Sequence, residues 1–346
     1  MDIIIPCAGL STRFPNMRPK YLLTDYLGRG MIELVASAYA CDHRVHVVIL
    51  QQHDQQHGAA AQLRSMLGDA VNIVILPATT SGPAETIYQA LDQAGITGSF
   101  LVRDCDSLFA HEPLLPGNRL FVDCLVNHPD LRTPANKSYV EVNGWDMVTN
   151  IMEKKIISDL FCVGGYQFVS AHAFITAYDD IKHSRLDEIY ISSVIDHLIS
   201  KDHVFPVSRV SDYVDLGTKA DWQRFNDKPT IFCDIDGTLI RNQAAHGPRA
   251  YGTVVEPLTN NVNALLVAKS RGCQIIFTTA RHPSLEPLTR TMLDDLGFDG
   301  CQLIMGLHHA RRIVINDFAT TNPYPSAVAI NIRRDDDCLD QLLELR

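Results

Sequence analysis

Short apolar runs alternate along this chain with segments of helical periodicity, and this alternation constrains the fold more than any other feature. Near the N-terminus the runs Ile3–Ile5, Val45–Leu50, Val71–Leu76 and Phe100–Val102 are typical of buried strands. Between them, Glu85–Ala94 places its apolar residues on one helical face. Strands that alternate with helices predict an α/β fold, with a mainly parallel sheet flanked by helices.

The alternation is interrupted and then restarts, which predicts two domains. Residues 139–168 are richer in strand and turn signals, with a hairpin signal at Asn143-Gly144, and helical periodicity returns at Asp187–Ser200. A polar stretch, residues 224–229, precedes a new apolar run at Thr230–Cys233. A length of 346 residues also fits two domains of ordinary size. The predicted domains are residues 1–227 and 228–346.

The second domain shows its own α/β pattern. A helix is predicted near Asn261–Arg271, ended by Gly272, followed by a strand at Gln274–Thr278 and a further helix. A last strand is predicted at Arg312–Ile315. The sequence shows no internal repeat, so the second domain is expected to be a separate fold rather than a copy of the first.

Composition excludes some classes of partner. Hydrophobic residues make up 46% and charged residues 20% of the chain, a balance that allows a full core. The formal net charge of -10 argues against nucleic acid or an anionic membrane as the main partner, since both favour a basic surface. No signal peptide and no apolar run of about 18 residues is present. The nine cysteines are scattered and are interpreted as small buried hydrophobic residues in a reducing compartment. Together these features predict a cytoplasmic protein that acts on small molecules.

The loop after the first strand has the composition of a phosphate cradle. Gly9, Ser11 and Thr12 are small residues in a turn, and such turns expose backbone N–H groups that can surround a triphosphate. Arg13 and Lys20 add positive charge where negative charge shifts during a transfer.

This segment resembles the signature of the sugar-phosphate nucleotidyltransferase family, A-G-x-x-x-R-F followed by P-K. It differs from the commonest version, which has a glycine where Ser11 or Thr12 stands and a second proline where Tyr21 stands. Further matches follow in the family's order, and the resemblance covers residues 1–225. These matches are residues 81–86, 103–106, 151–154, 164–166 and 214–218.

The resemblance implies a Rossmann-like domain that transfers a nucleotidyl group from a nucleoside triphosphate to a phosphorylated acceptor and releases pyrophosphate. Arg13 and Lys20 would stabilise developing charge, and Asp106 with Asp215 would hold Mg²⁺, an ion that prefers oxygen ligands. The implied nucleotide and substrate contacts are Ala8, Gly9, Leu10, Ser11, Thr12, Gly82, Pro83, Ala84, Glu153, Lys154 and Gly165.

A second motif, Asp234-Ile235-Asp236-Gly237-Thr238, follows an apolar strand and places two carboxylates where they can converge on one metal ion. It resembles the first motif of the haloacid dehalogenase superfamily, and that resemblance covers residues 229–346. It implies a capless Rossmann-like fold, since the irregular stretch at residues 241–257 is too short for a large cap. Asp234 would be the nucleophile that forms an aspartyl-phosphate, and Asp236 the acid and base.

The remaining motifs of that resemblance are less complete. Thr279 would bind the transferring phosphoryl group, and Arg281 would touch the substrate. The family usually has a lysine before the last strand, where this chain offers only Arg311 or Arg312. The implied Mg²⁺ ligands are Asp234, Asp236 and Asp317.

Three functions stay open at this point. The leading one is a bifunctional nucleotidyltransferase and phosphatase, serving activated-sugar or surface-polysaccharide precursor synthesis with Mg²⁺ in each domain. The second is a nucleotidyltransferase with a non-catalytic C-terminal binding or dimerising module. The third, processing of nucleic acid ends, is disfavoured by the acidic balance. The sequence leaves open the base, the acceptor, the order of the two reactions and the oligomeric state, with a homo-oligomer as one alternative.

Overall fold

The computed structural model describes residues 1–183, 188–242, 255–317 and 327–343. The chain divides into two compact units, which we call unit 1 (Met1–Trp222) and unit 2 (Gln223–Arg346). The division follows Trp222, whereas the sequence places the boundary after Asp227.

The main sheet of unit 1 has the strand order β10-β6-β9-β4-β1-β2-β3. Strands β4, β1, β2 and β3 run parallel to one another, while β9 runs antiparallel to both of its neighbours in this order, β4 and β6. Strands β7 and β8 form a hairpin attached to β9, and β5 pairs with β11 in a separate ribbon. The strands are β1 (Asp2–Pro6), β2 (Arg44–Leu50), β3 (Asn72–Leu76), β4 (Phe100–Arg103), β5 (Ser107–Ala110), β6 (Arg119–Cys124), β7 (Ser138–Val142), β8 (Val148–Glu153), β9 (Leu160–Phe168), β10 (Val207–Arg209) and β11 (Ser211–Asp215).

Helices cover the sheet because its strands are apolar on both faces. Along β1, Ile4 packs into one core cluster and Ile3 with Ile5 into the other, which is typical of a sheet buried on both sides. The predicted helix at residues 85–94 is confirmed: it begins at Pro83, a favoured first residue, and buries its apolar face. The helices are α1 (Met31–Ala36), α2 (Gln51–His57), α3 (Ala59–Leu67), α4 (Pro83–Gln93), α5 (Ala171–Ile181), α6 (Ile191–Ser200) and α7 (Lys219–Asn226), with short 3₁₀ turns at Lys20–Leu22, Leu125–Asn127 and Pro134–Asn136.

The strand order of unit 1 reverses between β1 and β4. Strand β1 is followed along the chain by β2 on one side, while β4 lies on its other side. Ligands of open α/β sheets bind beyond the carboxyl ends of the strands at such a switch point. Because β1 ends at Pro6 and β4 at Arg103, the loops that follow these two residues meet at this edge.

Unit 2 contains a smaller parallel sheet in the order β12-β13-β14. Helix α8 ends as predicted, because Gly272 has a left-handed φ of +88° and the N–H of Cys273 donates to the carbonyl of Ala268 at 3.1 Å. The elements are β12 (Thr230–Asp234), α8 (Thr259–Ser270), β13 (Gln274–Thr278), a 3₁₀ turn (Pro283–Leu285), α9 (Glu286–Asp295), β14 (Gln302–Ile304) and α10 (Leu339–Leu342).

The prediction of a strand at Arg312–Ile315 is wrong. These residues form no strand, and Ile313, Val314 and Ile315 are 66–89% exposed. The third strand of unit 2 is instead Gln302–Ile304, a run too short to give a periodic signal, which pairs with β13. A segment of β-forming residues becomes a strand only where it can pair with a neighbouring strand. Composition alone therefore predicted a strand at Arg312–Ile315 and missed the one at Gln302–Ile304.

Two predictions fall outside the described residues. The irregular stretch at residues 241–257 consists mostly of residues 243–254, so the capless form of unit 2 stays a prediction. The predicted first residue of α6, Asp187, is also outside them; the helix begins at Ile191. Among the described helices, none has the length and apolar character needed to cross a membrane.

Candidate active sites

A cleft of about 780 Å³ opens in unit 1 at the carboxyl ends of β1 and β4. Its volume lies in the usual range for small-molecule sites. The predicted site residues that line it are Ala8, Gly9, Leu10, Ser11, Thr12, Arg13, Lys20, Gly82, Pro83, Asp106, Glu153, Lys154 and Asp215.

The loop after β1 is fixed at both ends. Ser11 adopts a left-handed φ of +52°, and its carbonyl accepts from the N–H of Phe14, whose ring is buried. The Ser11 hydroxyl also accepts from the backbone N–H of Lys20 at 3.2 Å. A left-handed residue at this turn explains why a glycine is common here in the resembling signature.

Lys20 and Asp106 form the central ion pair of the cleft. The Nζ of Lys20 lies 2.5 Å from the Oδ2 of Asp106, and the Arg13 guanidinium lies 3.9 Å from the same oxygen. Burial alone would raise the pKa of Asp106, but Lys20 and then Arg13 outweigh it and lower that pKa to about 2. Burial also opposes the charge on Lys20, yet Asp106 raises the pKa of the lysine above its ordinary value.

Asp106 and Asp215 meet around Gly217. The N–H of Leu216 donates to the carbonyl of Asp106 at 2.8 Å. A Cβ on Gly217 would lie 2.9 Å from Oδ1 of Asp215 and 3.2 Å from Oδ2 of Asp106, so the glycine leaves a cradle between two carboxylate oxygens.

These two carboxylates fit Mg²⁺, a hard cation that usually takes one or two carboxylates and completes its shell with water and substrate phosphates. Among the described residues, no group of three or more His, Cys, Asp and Glu side chains is placed to hold a metal ion. A metal ion in this cradle would therefore depend on oxygens from outside the protein.

Lys137 is a residue of the cleft that the sequence did not reveal. Its Nζ lies 2.6 Å from Oδ2 of Asp215 and donates to the Tyr213 hydroxyl at 2.8 Å. Burial opposes its charge, but Tyr213 and Asp215 raise the pKa of Lys137 above the ordinary value. A lone lysine in a polar turn carries no motif, so only the three-dimensional pairing identifies it.

Asp104 is a second such residue. Its carboxylate packs against Gly164, whose φ is +87° and where a Cβ would lie 2.5 Å from Oδ2 of Asp104. Burial and then the nearby charge of Asp106 raise the pKa of Asp104 to about 7. The neighbouring Arg103 is buried and fixed by Tyr39 and Ser107, which holds this strand end in place.

The other end of the cleft carries the predicted acceptor contacts. Oε2 of Glu153 accepts from the hydroxyls of Ser138 at 2.5 Å and Ser192 at 2.7 Å. Lys154 has a left-handed φ of +55° and donates to the hydroxyl of Tyr190, with its Nζ 4.4 Å from the centre of that ring. The last residue of β8 and its successor thus present a carboxylate and an ammonium group to the same cavity.

Two predicted contacts lie outside the cleft lining, and a third, Gly82, lines it but also packs closely against the protein. Ala84 and Gly165 do not line the cleft; a Cβ on Gly165 would meet the rings of Phe109 and Phe121, and Gly164 faces the cavity instead. The space beside Gly82 is filled by the backbone of residue 189, so its missing side chain allows close packing within the protein. At both Gly82 and Gly165 an added Cβ would meet protein atoms, so close packing requires a glycine at each position.

No family model and no curated protein matches this chain. Solved structures do match. A nucleoside-diphosphate-sugar pyrophosphorylase from Vibrio cholerae RC9 is 23% identical with a TM-score of 0.56, over 64% of this chain and 98% of that one. A UDP-glucose pyrophosphorylase complexed with UDP-glucose is 13% identical with a TM-score of 0.52, over 65% and 97%.

The inositol-1-phosphate CTP transferase of T. maritima is 17% identical with a TM-score of 0.50, over 64% of this chain and 90% of its own. About 64% of the chain has a sugar-phosphate nucleotidyltransferase-like fold. At these identities the likeness shows the fold alone. The predicted Rossmann-like nucleotidyltransferase fold is thereby confirmed, while the haloacid-dehalogenase-like fold of the remaining chain stays a prediction.

In unit 2 the aspartate that ends β12, Asp234, and the one that follows the strand, Asp236, have different partners. Asp236 is held by a two-point ion pair, with Nε and Nη2 of Arg281 at 2.9 and 2.7 Å from its two oxygens. The Thr279 hydroxyl also lies 3.3 Å from Asp236. The Arg281 side chain is 1% exposed and donates further to Thr289, so it faces the interior of unit 2, and its contact with a substrate stays a prediction.

Asp234 is more open. Nη2 of Arg312 lies 3.0 Å from its Oδ1, and the two side chains are 48% and 36% exposed. Burial raises the pKa of Asp234, and the charge of Arg312 offsets part of that rise. The structure does not bring Asp317 into one metal-binding group with Asp234 and Asp236.

The loop after β12 is also fixed by the C-terminal segment. The N–H of Asp335 donates to the carbonyl of Gly237 at 2.9 Å, and the side chain of Arg334 covers that glycine. Buried Asn261 donates to the carbonyls of Thr238 at 2.7 Å and Asp336 at 2.8 Å. The sequence pattern gave no sign of this brace, because its two halves are far apart along the chain.

Proposed function

We propose that unit 1 transfers a nucleotidyl group from a nucleoside triphosphate to the phosphate of a small phosphorylated acceptor, with release of pyrophosphate. One observation carries this proposal. The cations Arg13 and Lys20 converge with the carboxylates of Asp106 and Asp215 in one cleft, at the switch point of the sheet.

The chemistry follows from charge and position. A phosphate oxygen of the acceptor attacks the α-phosphorus, and pyrophosphate leaves. Arg13 and Lys20 neutralise the charge that develops on the leaving group, and Lys154 binds the acceptor phosphate beside Glu153. Asp106 and Asp215 would hold Mg²⁺, which supplies charge neutralisation at the phosphates. Such transfers depend on positioning and electrostatics, so no side-chain nucleophile is required.

The named neighbours support an acceptor that is a phosphorylated sugar or polyol. One acts on inositol-1-phosphate with CTP, and another binds UDP-glucose. Because these names differ in both base and acceptor, they support the reaction class and leave the two substrates open.

The test is pyrophosphate release from each common nucleoside triphosphate against a panel of sugar and polyol phosphates, with Mg²⁺ present. We expect release that requires one triphosphate, one acceptor class and the metal ion. A panel that yields no acceptor-dependent pyrophosphate would contradict the proposal.

We further propose that unit 2 hydrolyses a phosphomonoester, so that the chain is a bifunctional enzyme of activated-sugar metabolism. The observation in favour is the half-buried Asp234 at the end of β12, with the Arg312 guanidinium 3.0 Å away. The carboxylate would take the phosphoryl group as the alcohol leaves, water would then release phosphate, and the guanidinium would bind the phosphoryl oxygens. The alternative is a non-catalytic binding or dimerising module, and the Arg281 clamp on Asp236 favours it because that carboxyl group is already paired.

Phosphate release from candidate bisphosphates decides between the two. Three results together would support the phosphatase: the parent chain hydrolyses a bisphosphate, Asp234→Asn abolishes this activity, and the exposed control Asp299→Asn retains it. The absence of release over a broad panel would favour the module.

A further inference from the structure

Each carboxylate expected to hold the metal ion in unit 1 is already neutralised by a lysine. Lys20 lies 2.5 Å from Asp106, and Lys137 lies 2.6 Å from Asp215. All four side chains are less than one-fifth exposed. A free divalent cation entering this cleft would meet two ammonium groups as well as two carboxylates.

Lys137 is the part of this arrangement that the proposed reaction does not yet use. Its ammonium group is fixed by two partners on the same strand, Asp215 and the hydroxyl of Tyr213. Its carbonyl accepts from the backbone N–H of Lys154 at 3.0 Å. Lys137 therefore connects the strand that carries Asp215 with the hairpin end that carries the acceptor lysine.

Charge at this distance is strong enough to decide whether a cation binds. Two unit charges about 4 Å apart interact several times more strongly in a partly buried site than in bulk water. An ammonium group beside Asp215 both occupies an oxygen and repels Mg²⁺. A triphosphate reverses this balance, because its negative charge attracts the metal ion and the lysines together.

We propose, on the basis of the proposed transfer reaction, that Lys137 is a positioning residue that holds Asp215 as a counter-ion and disfavours the binding of a free divalent cation. The metal ion then enters together with the nucleoside triphosphate. A lysine with a purely structural role would have the opposite signature, since its loss would loosen Asp215 and weaken metal binding.

The experiment measures binding of Mn²⁺, as a probe of the metal site, to the full chain without substrates. Lys137→Met removes the charge, Lys137→Gln removes the charge but keeps hydrogen-bonding capacity, and Lys137→Arg keeps the charge. Lys201→Met removes a charge from an exposed position and is the matched control. Circular dichroism verifies that each variant is folded.

We expect Lys137→Met and Lys137→Gln to bind Mn²⁺ on the order of tenfold more tightly than the parent, while Lys137→Arg and Lys201→Met stay close to it. Unchanged or weaker Mn²⁺ binding by both uncharged variants would overturn the inference. The same titration with a non-hydrolysable triphosphate separates the two proposals. Failure of the parent to bind Mn²⁺ even then would refute the metal site, and with it both the proposed reaction and the role of Lys137.

Discussion

The two units present acid–cation pairs of different kinds in their candidate sites. In unit 1 the carboxylates pair with lysines, each through one ammonium group that also lines an open cleft. In unit 2 Asp236 pairs with a buried arginine through two parallel bonds. A lysine ammonium is a mobile point charge that a phosphate can attract, whereas a two-point arginine pair in the interior is a fixed structural element. The lysine pairs of unit 1 are therefore arranged to exchange partners, and Asp236 of unit 2 is arranged to retain one.

Loss of Lys20 tests the unit 1 half of this comparison and has the largest expected effect. Lys20→Met should lower kcat/KM for pyrophosphate release by about 10³-fold, the usual scale for removing a preorganised charge at a transition state. Steady-state kinetics measures it, with Lys201→Met as the control at an exposed site. Near-parental turnover would show that the pair with Asp106 is structural.

Loss of Arg281 tests the unit 2 half. Arg281→Met leaves Asp236 partly buried without its partner, and we expect unit 2 to lose about 3–5 kcal/mol of unfolding free energy. Both tryptophans, Trp145 and Trp222, lie in unit 1, so fluorescence reports that unit while far-UV circular dichroism reports both.

For Arg281→Met we expect unit 2 to unfold at a lower denaturant concentration than in the parent, in a transition that dichroism detects and fluorescence does not. Pyrophosphate release should be unchanged. Arg290→Met, which removes a half-exposed ion pair with Glu286, is the control and should cost well under about 1 kcal/mol. Equal stability of the two variants would mean that the buried pair is no more structural than a surface one.

Adding a methyl group at Gly217 tests whether the metal ion of unit 1 lies between Asp106 and Asp215. Gly217→Ala should raise the Mg²⁺ concentration needed for half-maximal activity by on the order of 10- to 100-fold, since its Cβ would displace the oxygens of Asp215 and Asp106. Gly98→Ala is the control, because no atom lies within 4 Å of its added Cβ. An unchanged Mg²⁺ requirement would place the metal ion elsewhere.

The smallest expected effect concerns pH. Burial and then His57 lower the pKa of His53 in unit 1, so the folded state favours the neutral ring. The unfolded chain takes up a proton near the ordinary pKa of about 6.5, so the contribution of His53 to the stability of unit 1 falls as pH decreases below that value. Asp104, whose folded pKa is raised to about 7, contributes in the opposite direction over this range, and only replacement of His53 isolates the effect of the histidine.

Urea unfolding followed by tryptophan fluorescence measures this dependence, and His53→Gln should reduce it. The described histidines of unit 2, His282, His308 and His309, are exposed, so the dichroism transition of unit 2 should be the same in the parent and in His53→Gln. An equal change of unit 1 stability with pH in the parent and in His53→Gln would contradict this role of His53.

Sequence patterns predicted the parts of this molecule that local periodicity determines. The spacing of apolar residues predicted strands β1 to β4 and the buried face of α4. The small residues after β1 predicted the loop there. Lys137 and Asp104 were missed because their roles arise from pairing across strands, with Asp215 and with Gly164. In unit 2, strand pairing was likewise invisible in the sequence. The strand at Gln302–Ile304 was therefore missed, and the exposed run at Arg312–Ile315 was wrongly predicted to be a strand.

The proposed reaction is tested most directly by following the α-phosphate of the nucleotide. The triphosphate is labelled at its α-phosphorus and incubated with Mg²⁺ and the acceptor that gives pyrophosphate release. We expect the label to appear in a nucleotide–acceptor product in a one-to-one ratio with pyrophosphate, and Lys20→Met to lose both together. Label that remains in a nucleoside monophosphate or diphosphate, with no coupled product, would contradict it.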